Sequence, residues 1–130
     1  MLSSLGTLES RLGRNDQARA AYDQAMAFYK QTDDRLGQGN LLGRLGDLDR
    51  KLGRNDQARA DYEGAIVLFK EVDDRYHQAL ALASLGSLGS RENPQQAAAY
   101  FVEAAQLFEM FGMTERHDAA LREAEKLYKR

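Results

Sequence analysis

A nine-residue segment occurs twice in this chain, and the repetition constrains the fold more than any other feature. Residues 12–20 and 52–60 both read LGRNDQARA. At the same offset, residues 5–44 and 45–84 are identical at 20 of 40 positions, and a looser third copy begins at Leu85. A period of this size indicates stacked repeats, each burying its apolar face against its neighbours. We therefore expect an extended surface that binds other molecules.

Each repeat is predicted to be a helix, a short turn and a second helix, because apolar residues recur every three or four positions. In the second repeat they are Leu36, Leu41, Leu42, Leu45, Leu48, Leu52, Ala58, Tyr62, Ala65, Ile66 and Phe69. Asp33, Asp34 and Asn55 are suited to cap helix starts, and Gly53 to end a helix. The predicted helices are 2–12, 16–31, 34–52, 56–71, 74–91, 95–111 and 115–129.

Composition excludes several classes of protein. The net charge of the chain is −2, whereas nucleic-acid-binding proteins carry an excess of basic residues. The chain has no cysteine, which rules out disulfides and thiolate metal sites. No run of about 18 apolar residues exists, so no membrane span is expected, and the N-terminus does not read as a secretory signal. We expect a cytoplasmic protein and, from 130 residues, a single domain.

A small-residue and aromatic pattern recurs in all three copies. It consists of Leu45, Gly46, Gly53, Ala58, Tyr62 and Ala65, of Leu5, Gly6, Gly13, Ala18, Tyr22 and Ala25, and of Leu85, Gly86, Ala97, Phe101 and Ala104. This pattern resembles the tetratricopeptide repeat signature, and the period of 40 resembles the long-repeat subgroup of that family. Where the family often has an aromatic residue, this chain has Glu9, Asp49 and Gly89.

The resemblance implies an all-α, right-handed α-solenoid of about three helical hairpins. The repeats would span about 1–32, 33–72 and 73–112 of a single domain over 1–130, with a capping helix at 114–129. Met1 aligns with Leu41, inside the first helix of a repeat. We therefore expect either a piece of a longer array or an end that a partner covers.

The resemblance also implies a non-catalytic scaffold that binds a peptide or partner helix in a concave groove. The carboxylate clamp of some co-chaperone members is absent, since the matching positions hold Ser3, Thr7, Arg44, Leu80 and Ser84. Our predicted groove residues are Thr7, Arg11, Asn40, Arg44, Asp47, Lys51, Ser84, Ser87 and Arg91. Three of these cations, Arg11, Lys51 and Arg91, follow one another at intervals of 40 residues. We predict that they form a row along the groove, a cation ladder, which binds an acidic peptide. The alternative is that each cation lies in the last turn of its helix, where the dipole favours it.

Two further functions stay open at the level of sequence. The apolar N-terminal end, with Met1, Leu2, Leu5 and Leu8, could pair with a second copy in a homodimer, because a twofold contact is a common way to bury such a patch. A ligand- or peptide-sensing domain of a larger signalling protein is the other alternative, on fold analogy alone.

Enzymatic, cofactor and metal chemistry is not indicated. His77 and His117 lack metal-ligand spacing, and the glycines of 37–43 follow no strand, unlike a dinucleotide loop. The pairs Asp33–Asp34 and Asp73–Asp74 could be catalytic carboxylates or calcium ligands, but their repetition at helix starts favours caps. We expect no enzyme, no cofactor, no metal and no nucleic-acid partner.

Overall fold

The structure, a computed structural model, describes residues 2–128, with side chains from Ser4 onward. These residues form seven α-helices and no strand: α1 (Leu2–Arg11), α2 (Asn15–Gln31), α3 (Arg35–Lys51), α4 (Asn55–Glu71), α5 (Arg75–Gly89), α6 (Pro94–Met110) and α7 (Thr114–Tyr128). The predicted bounds differ from these by at most two residues, the largest difference being at the end of α5.

The chain forms two compact units, Met1–Val72 and Asp73–Arg130. The boundary coincides with the predicted limit between the second and third repeats. In the first unit, α1 packs on α2, α2 on α3 and α3 on α4. In the second unit, α6 packs on both α5 and α7. Whether the chain acts as the single domain predicted from sequence stays a prediction.

One hydrophobic cluster of the first unit lies between the second helix of the first repeat and the first helix of the second repeat. Its buried residues are Ala18, Tyr22 and Ala25 of α2 and Leu41, Leu45 and Leu48 of α3. In the second unit, α7 buries Ala124 and Leu127 against Ala97, Ala98 and Phe101 of α6. The helix α7 thus packs on α6 through one apolar side, and its role as the cap of the repeat array stays a prediction.

Each helical hairpin is closed by an aromatic ring that lies on a glycine of the preceding helix. A methyl group on Gly46 would stand 2.7 Å from Cε1 of Tyr62, and the same relation holds between Gly6 and Tyr22 and between Gly86 and Phe101. Glycine in a helix costs about 1 kcal/mol relative to alanine. The recurring cost is offset here because only a hydrogen atom leaves room for the ring.

Two helices end in the same left-handed backbone turn, which glycine forms in one case and aspartate in the other. Gly53 has a left-handed backbone (φ 76°), and the following Arg54 N–H donates to the Asp49 carbonyl at 2.8 Å. This is the Schellman ending of a helix, for which glycine is the usual residue. Asp33 occupies the corresponding position after α2 with φ 54°, and the Asp34 N–H donates to the Tyr29 carbonyl at 2.8 Å. An aspartate here carries a conformational cost that glycine avoids.

The predicted N-caps are confirmed in part. The side chain of Asp34 accepts a hydrogen bond from the Gly37 N–H at 2.8 Å, and Asp74 accepts one from His77 at 3.0 Å. Asp33 is not an N-cap, because it lies in the left-handed turn that precedes the N-cap Asp34. The prediction for Asn55 was wrong: Arg54 occupies the cap position without a side-chain hydrogen bond, and Asn55 is the first helical residue.

Candidate functional site

The groove residues predicted from the first unit lie on α1 and α3 and connect the two helices. We call this set the polar strip: Thr7, Arg11, Asn40, Arg44, Asp47 and Lys51. A guanidinium nitrogen of Arg44 donates to the Thr7 hydroxyl, and the Lys51 ammonium donates to the main-chain carbonyl of Ser10. Both cations are exposed and each reaches the neighbouring first helix. The strip therefore spans adjacent repeats, as a peptide-binding surface on first helices requires.

Buried tyrosines of the second helices support the strip from beneath. The hydroxyl of Tyr22 lies 3.1 Å from the Thr7 hydroxyl, and the hydroxyl of Tyr62 donates to the Asp47 carboxylate. Burial of the ring raises the pKa of Tyr62. Asp47 raises this pKa further, because its carboxylate accepts a hydrogen bond from the Tyr62 hydroxyl. The same tyrosine thus packs on glycine and holds a polar residue of the strip in place.

The cations predicted to form a ladder differ in their positions. Arg11 and Lys51 are the last residues of α1 and α3, so the helix dipole also favours them there. Arg91 lies two residues beyond the end of α5, outside the helix. The remaining predicted residues of the second unit bond locally: the Ser84 hydroxyl donates to the Leu80 carbonyl at 3.1 Å, and the Ser87 carbonyl accepts from Ser90 at 3.2 Å. The ladder stays a prediction.

The predicted self-association end is only partly described. Met1 and the side chain of Leu2 lie outside the described residues. Leu5 and Leu8 are 46% and 53% exposed, respectively. An apolar pair of this kind on one helix face is a candidate contact surface.

Sequence reasoning missed a buried charged cluster where α2, α3 and α4 meet. Arg19 of α2 forms an ion pair with Asp49 of α3, whose side chain is 4% exposed. Asp61 of α4 stands beside Asp49, and its Oδ2 atom is buried without a hydrogen-bond partner. Burial, followed by the proximity of Asp49, raises the pKa of Asp61 to about 7, while Arg19 opposes the rise. Arg19 forms its ion pair with Asp49, and its charge also favours the ionised form of Asp61.

A signal for this cluster was present in the sequence, but its partners could not be identified. Asp49 stands where related repeats often carry an aromatic residue, and Asp61 replaces Ala21 of the first repeat. Asp49 and Arg19 are 30 residues apart, and only the packing of α2 on α3 brings them together. The cluster is an ion-pair network within the fold, and such networks shift pKa values without catalysis.

The described part of the chain shows no metal site and no membrane-spanning helix. Between residues 2 and 128, no three His, Asp or Glu side chains are grouped so as to hold a metal ion. None of the helices described is both long and apolar enough to cross a bilayer. The two histidines contact nearby aspartates: His77 Nδ1 lies 2.6 Å from Asp74, and His117 Nδ1 lies 3.0 Å from Asp118.

Comparison with solved structures supports the repeat fold. The crystal structure of BtubC (BKLC) from P. vanneervenii is similar, with a TM-score of 0.66 and 17% sequence identity over 98% of this chain and 62% of that chain. At this identity the similarity shows the fold alone. This chain therefore spans less than two thirds of its neighbour's length.

Comparison with protein families gives a direct assignment, whereas no curated protein matches the chain. The family model described as tetratricopeptide repeat matches residues 1–60 and 37–110. These matches cover the repeats from which the resemblance was inferred and confirm the predicted all-α repeat fold. The chain belongs to the tetratricopeptide repeat family, whose members generally mediate protein–protein interaction.

Proposed function

We propose that this chain is a non-catalytic interaction module that binds an acidic peptide or partner helix along the polar strip of α1 and α3. The observation that carries the proposal is the bridging of two first helices by exposed cations. Arg44 and Lys51 each donate to a neutral oxygen of α1. A partner carboxylate is a stronger acceptor for these groups than a hydroxyl or a carbonyl.

The spacing of the two cations supports the proposal of an extended ligand. Arg44 is held near Thr7 in the middle of α1, and Lys51 near Ser10 at its end. They lie two helical turns apart on α3, about 10 Å at a rise of 1.5 Å per residue. An extended acidic segment can span this distance with carboxylates about three residues apart. Because both cations are exposed, we expect weak, salt-sensitive binding.

Charge reversal of Lys51 tests the proposal. A fluorescent peptide with glutamates three residues apart is titrated with the protein, and binding is followed by anisotropy. Lys51→Glu should weaken binding by at least about five-fold, a typical loss when a contacting charge is reversed. The matched control is Lys70→Glu, because Lys70 also lies in the last turn of a 17-residue helix, but on α4. Equal affinity for both variants and the parent protein would exclude the polar strip as the binding site.

The two alternatives from the sequence remain predictions. Sensing of a ligand by a larger signalling protein has no observation in its favour beyond the family. Self-association of the N-terminal end is favoured by the exposed Leu5 and Leu8. A cytoplasmic location likewise stays a prediction.

A further inference from the structure

Asp47 places a negative charge in the middle of the polar strip, between the exposed cations Arg44 and Lys51. The three residues follow one another on α3 at spacings of three and four, so they share one face of the helix. At a rise of 1.5 Å per residue, Asp47 stands about 4.5 Å along the helix axis from Arg44 and about 6 Å from Lys51. All three are exposed. A segment that lies across both cations therefore passes over Asp47.

Within the described residues, the hydrogen bonds of these three side chains lead away from one another. Arg44 donates to the Thr7 hydroxyl and Lys51 to a carbonyl of α1. Asp47 accepts a hydrogen bond from the hydroxyl of Tyr62, a residue that is only 1% exposed. Because Tyr62 is buried in the hairpin, it holds the carboxylate at a fixed place on the surface. The carboxylate thus stays exposed between two cations that contact α1.

The other copies of the repeat show that a buried ring at this position does not need a carboxylate as its partner. At the repeat offset of 40, the counterparts of Asp47 are Thr7 and Ser87. The hydroxyl of Tyr22 lies 3.1 Å from that of Thr7, so a neutral side chain satisfies the first ring. In the third copy the ring belongs to Phe101, which has no hydroxyl. The charge of Asp47 is therefore not required by the packing, and it acts on whatever binds the strip.

A neighbouring cation compensates this negative charge only in part. Arg50 follows Asp47 by three residues and is also exposed. Burial raises the pKa of Tyr62, the Asp47 carboxylate raises it further, and Arg50 lowers it by less than Asp47 raises it. The electrostatic field at the Tyr62 hydroxyl is therefore governed by the carboxylate. A ligand group that lies over Asp47 meets the same negative charge.

From this arrangement we infer that Asp47 selects a basic side chain in the partner, so that the bound segment carries a lysine or arginine between two acidic residues. The inference rests on the proposed function, because Arg44 and Lys51 bind the flanking carboxylates. A basic group over Asp47 forms a charge-assisted contact. A third carboxylate at the same place would face a fixed like charge, which opposes binding. The strip thus recognises an alternation of charge and not acidity alone.

Peptides that differ at one central residue test this inference. Three fluorescent peptides keep two glutamates three residues apart and carry lysine, glutamine or glutamate between them. Each is made with the variable residue at either intervening position, because the two contacts do not fix the direction of the bound chain. Anisotropy measures their binding to the parent protein. The lysine peptide should bind about two- to five-fold more tightly than the glutamine peptide, and the glutamate peptide more weakly by a similar factor, the range for an exposed ion pair.

Asp47→Asn should reverse this order. Cations then dominate the strip, and a lysine in the peptide weakens binding to them. Asparagine can still accept the hydrogen bond of the Tyr62 hydroxyl, and circular dichroism establishes that the variant is folded. The matched control is Asp56→Asn, which removes a carboxylate from α4 that is 97% exposed and should leave the order of the parent unchanged.

The outcomes separate the inference from the proposed function. If the lysine peptide binds the parent no more tightly than the glutamate peptide, while Lys51→Glu still weakens binding, the inference is overturned and the proposed function stands. An order of affinities that Asp47→Asn leaves unchanged also overturns it, since the selection then does not come from Asp47. If no peptide binds the parent, or if Lys51→Glu binds all of them as tightly as the parent does, the proposed function fails and the inference fails with it.

Discussion

Replacement of Asp61 by asparagine should stabilise the protein, and the gain should grow as the pH rises from about 4 to about 7. In the folded protein, burial and the proximity of Asp49 raise the pKa of Asp61 to about 7, whereas the ordinary value is 3.8. Between these values the folded state holds a proton that the unfolded state has released. The free energy of unfolding therefore falls with rising pH across this window and is constant above it. Asparagine does not titrate, so Asp61→Asn removes this fall.

The magnitude follows from the same difference in pKa. Each unit corresponds to about 1.4 kcal/mol of differential interaction. Asp61 is only partly buried, and Arg19 offsets part of its charge, so we expect solvent to reduce the total to about 1 to 2 kcal/mol. The amide of asparagine can donate a hydrogen bond to Asp49, as a protonated Asp61 carboxyl can.

Urea unfolding followed by circular dichroism at several pH values measures this gain. The free energy of unfolding of Asp61→Asn minus that of the parent should be near zero at pH 4, rise to its full value by pH 7 and stay level at pH 8. Asp23→Asn is the control, because Asp23 is exposed on α2, and its effect should stay within about 0.5 kcal/mol throughout. A difference independent of pH, or a less stable Asp61→Asn at pH 8, would show that a raised pKa of Asp61 does not destabilise the protein.

The glycines and turns give two further predictions, each measurable by urea unfolding. Gly46→Ala should destabilise the protein by about 1 to 3 kcal/mol, because its methyl group would stand 2.7 Å from the Tyr62 ring. In the matched control Gly43→Ala, the new methyl group meets no atom within 4 Å, so this variant should stabilise the protein by about 0.5 to 1 kcal/mol. Equal effects would contradict the packing argument. Asp33→Gly should stabilise by up to about 1 kcal/mol by relieving a left-handed aspartate, and Gly53→Ala should destabilise by a similar amount. The opposite order would show that side-chain contacts dominate these turns.

The sequence predicted the features of the fold that depend on local periodicity. The helix bounds and the left-handed Gly53 follow from short-range rules that hold within one repeat. The recurrence of glycine at Gly6, Gly46 and Gly86 is also visible in the sequence, whereas only the structure shows that each glycine lies against an aromatic ring of the following helix. Repetition strengthened these predictions because each rule could be read independently in every copy.

It was harder to predict from the sequence which of two neighbouring residues caps a helix. Asn55 has the better capping side chain, but the Schellman ending at Gly53 fixes the register, so the cap falls on Arg54. Asp33 and Asp34 looked interchangeable in sequence. One ends a helix and the other begins the next, because two helices must meet within a short turn.

Contacts between repeats could not be derived from the sequence. Arg19 and Asp49 are separated by 30 residues, and no periodic rule pairs them. The polar strip was predicted as a set of positions, whereas the partners of Arg44 and Lys51 on α1 depend on how two first helices pack. Side-chain pairing of this kind follows from tertiary geometry.

Amide NMR of the isotopically labelled chain, titrated with the acidic peptide, tests the proposed function most directly. We expect the chemical-shift changes to concentrate on Thr7, Arg44 and Lys51, to diminish with added salt, and to be small at Lys70 on α4. Shift changes that concentrate on the second helices, or no change at millimolar peptide, would contradict binding along the polar strip.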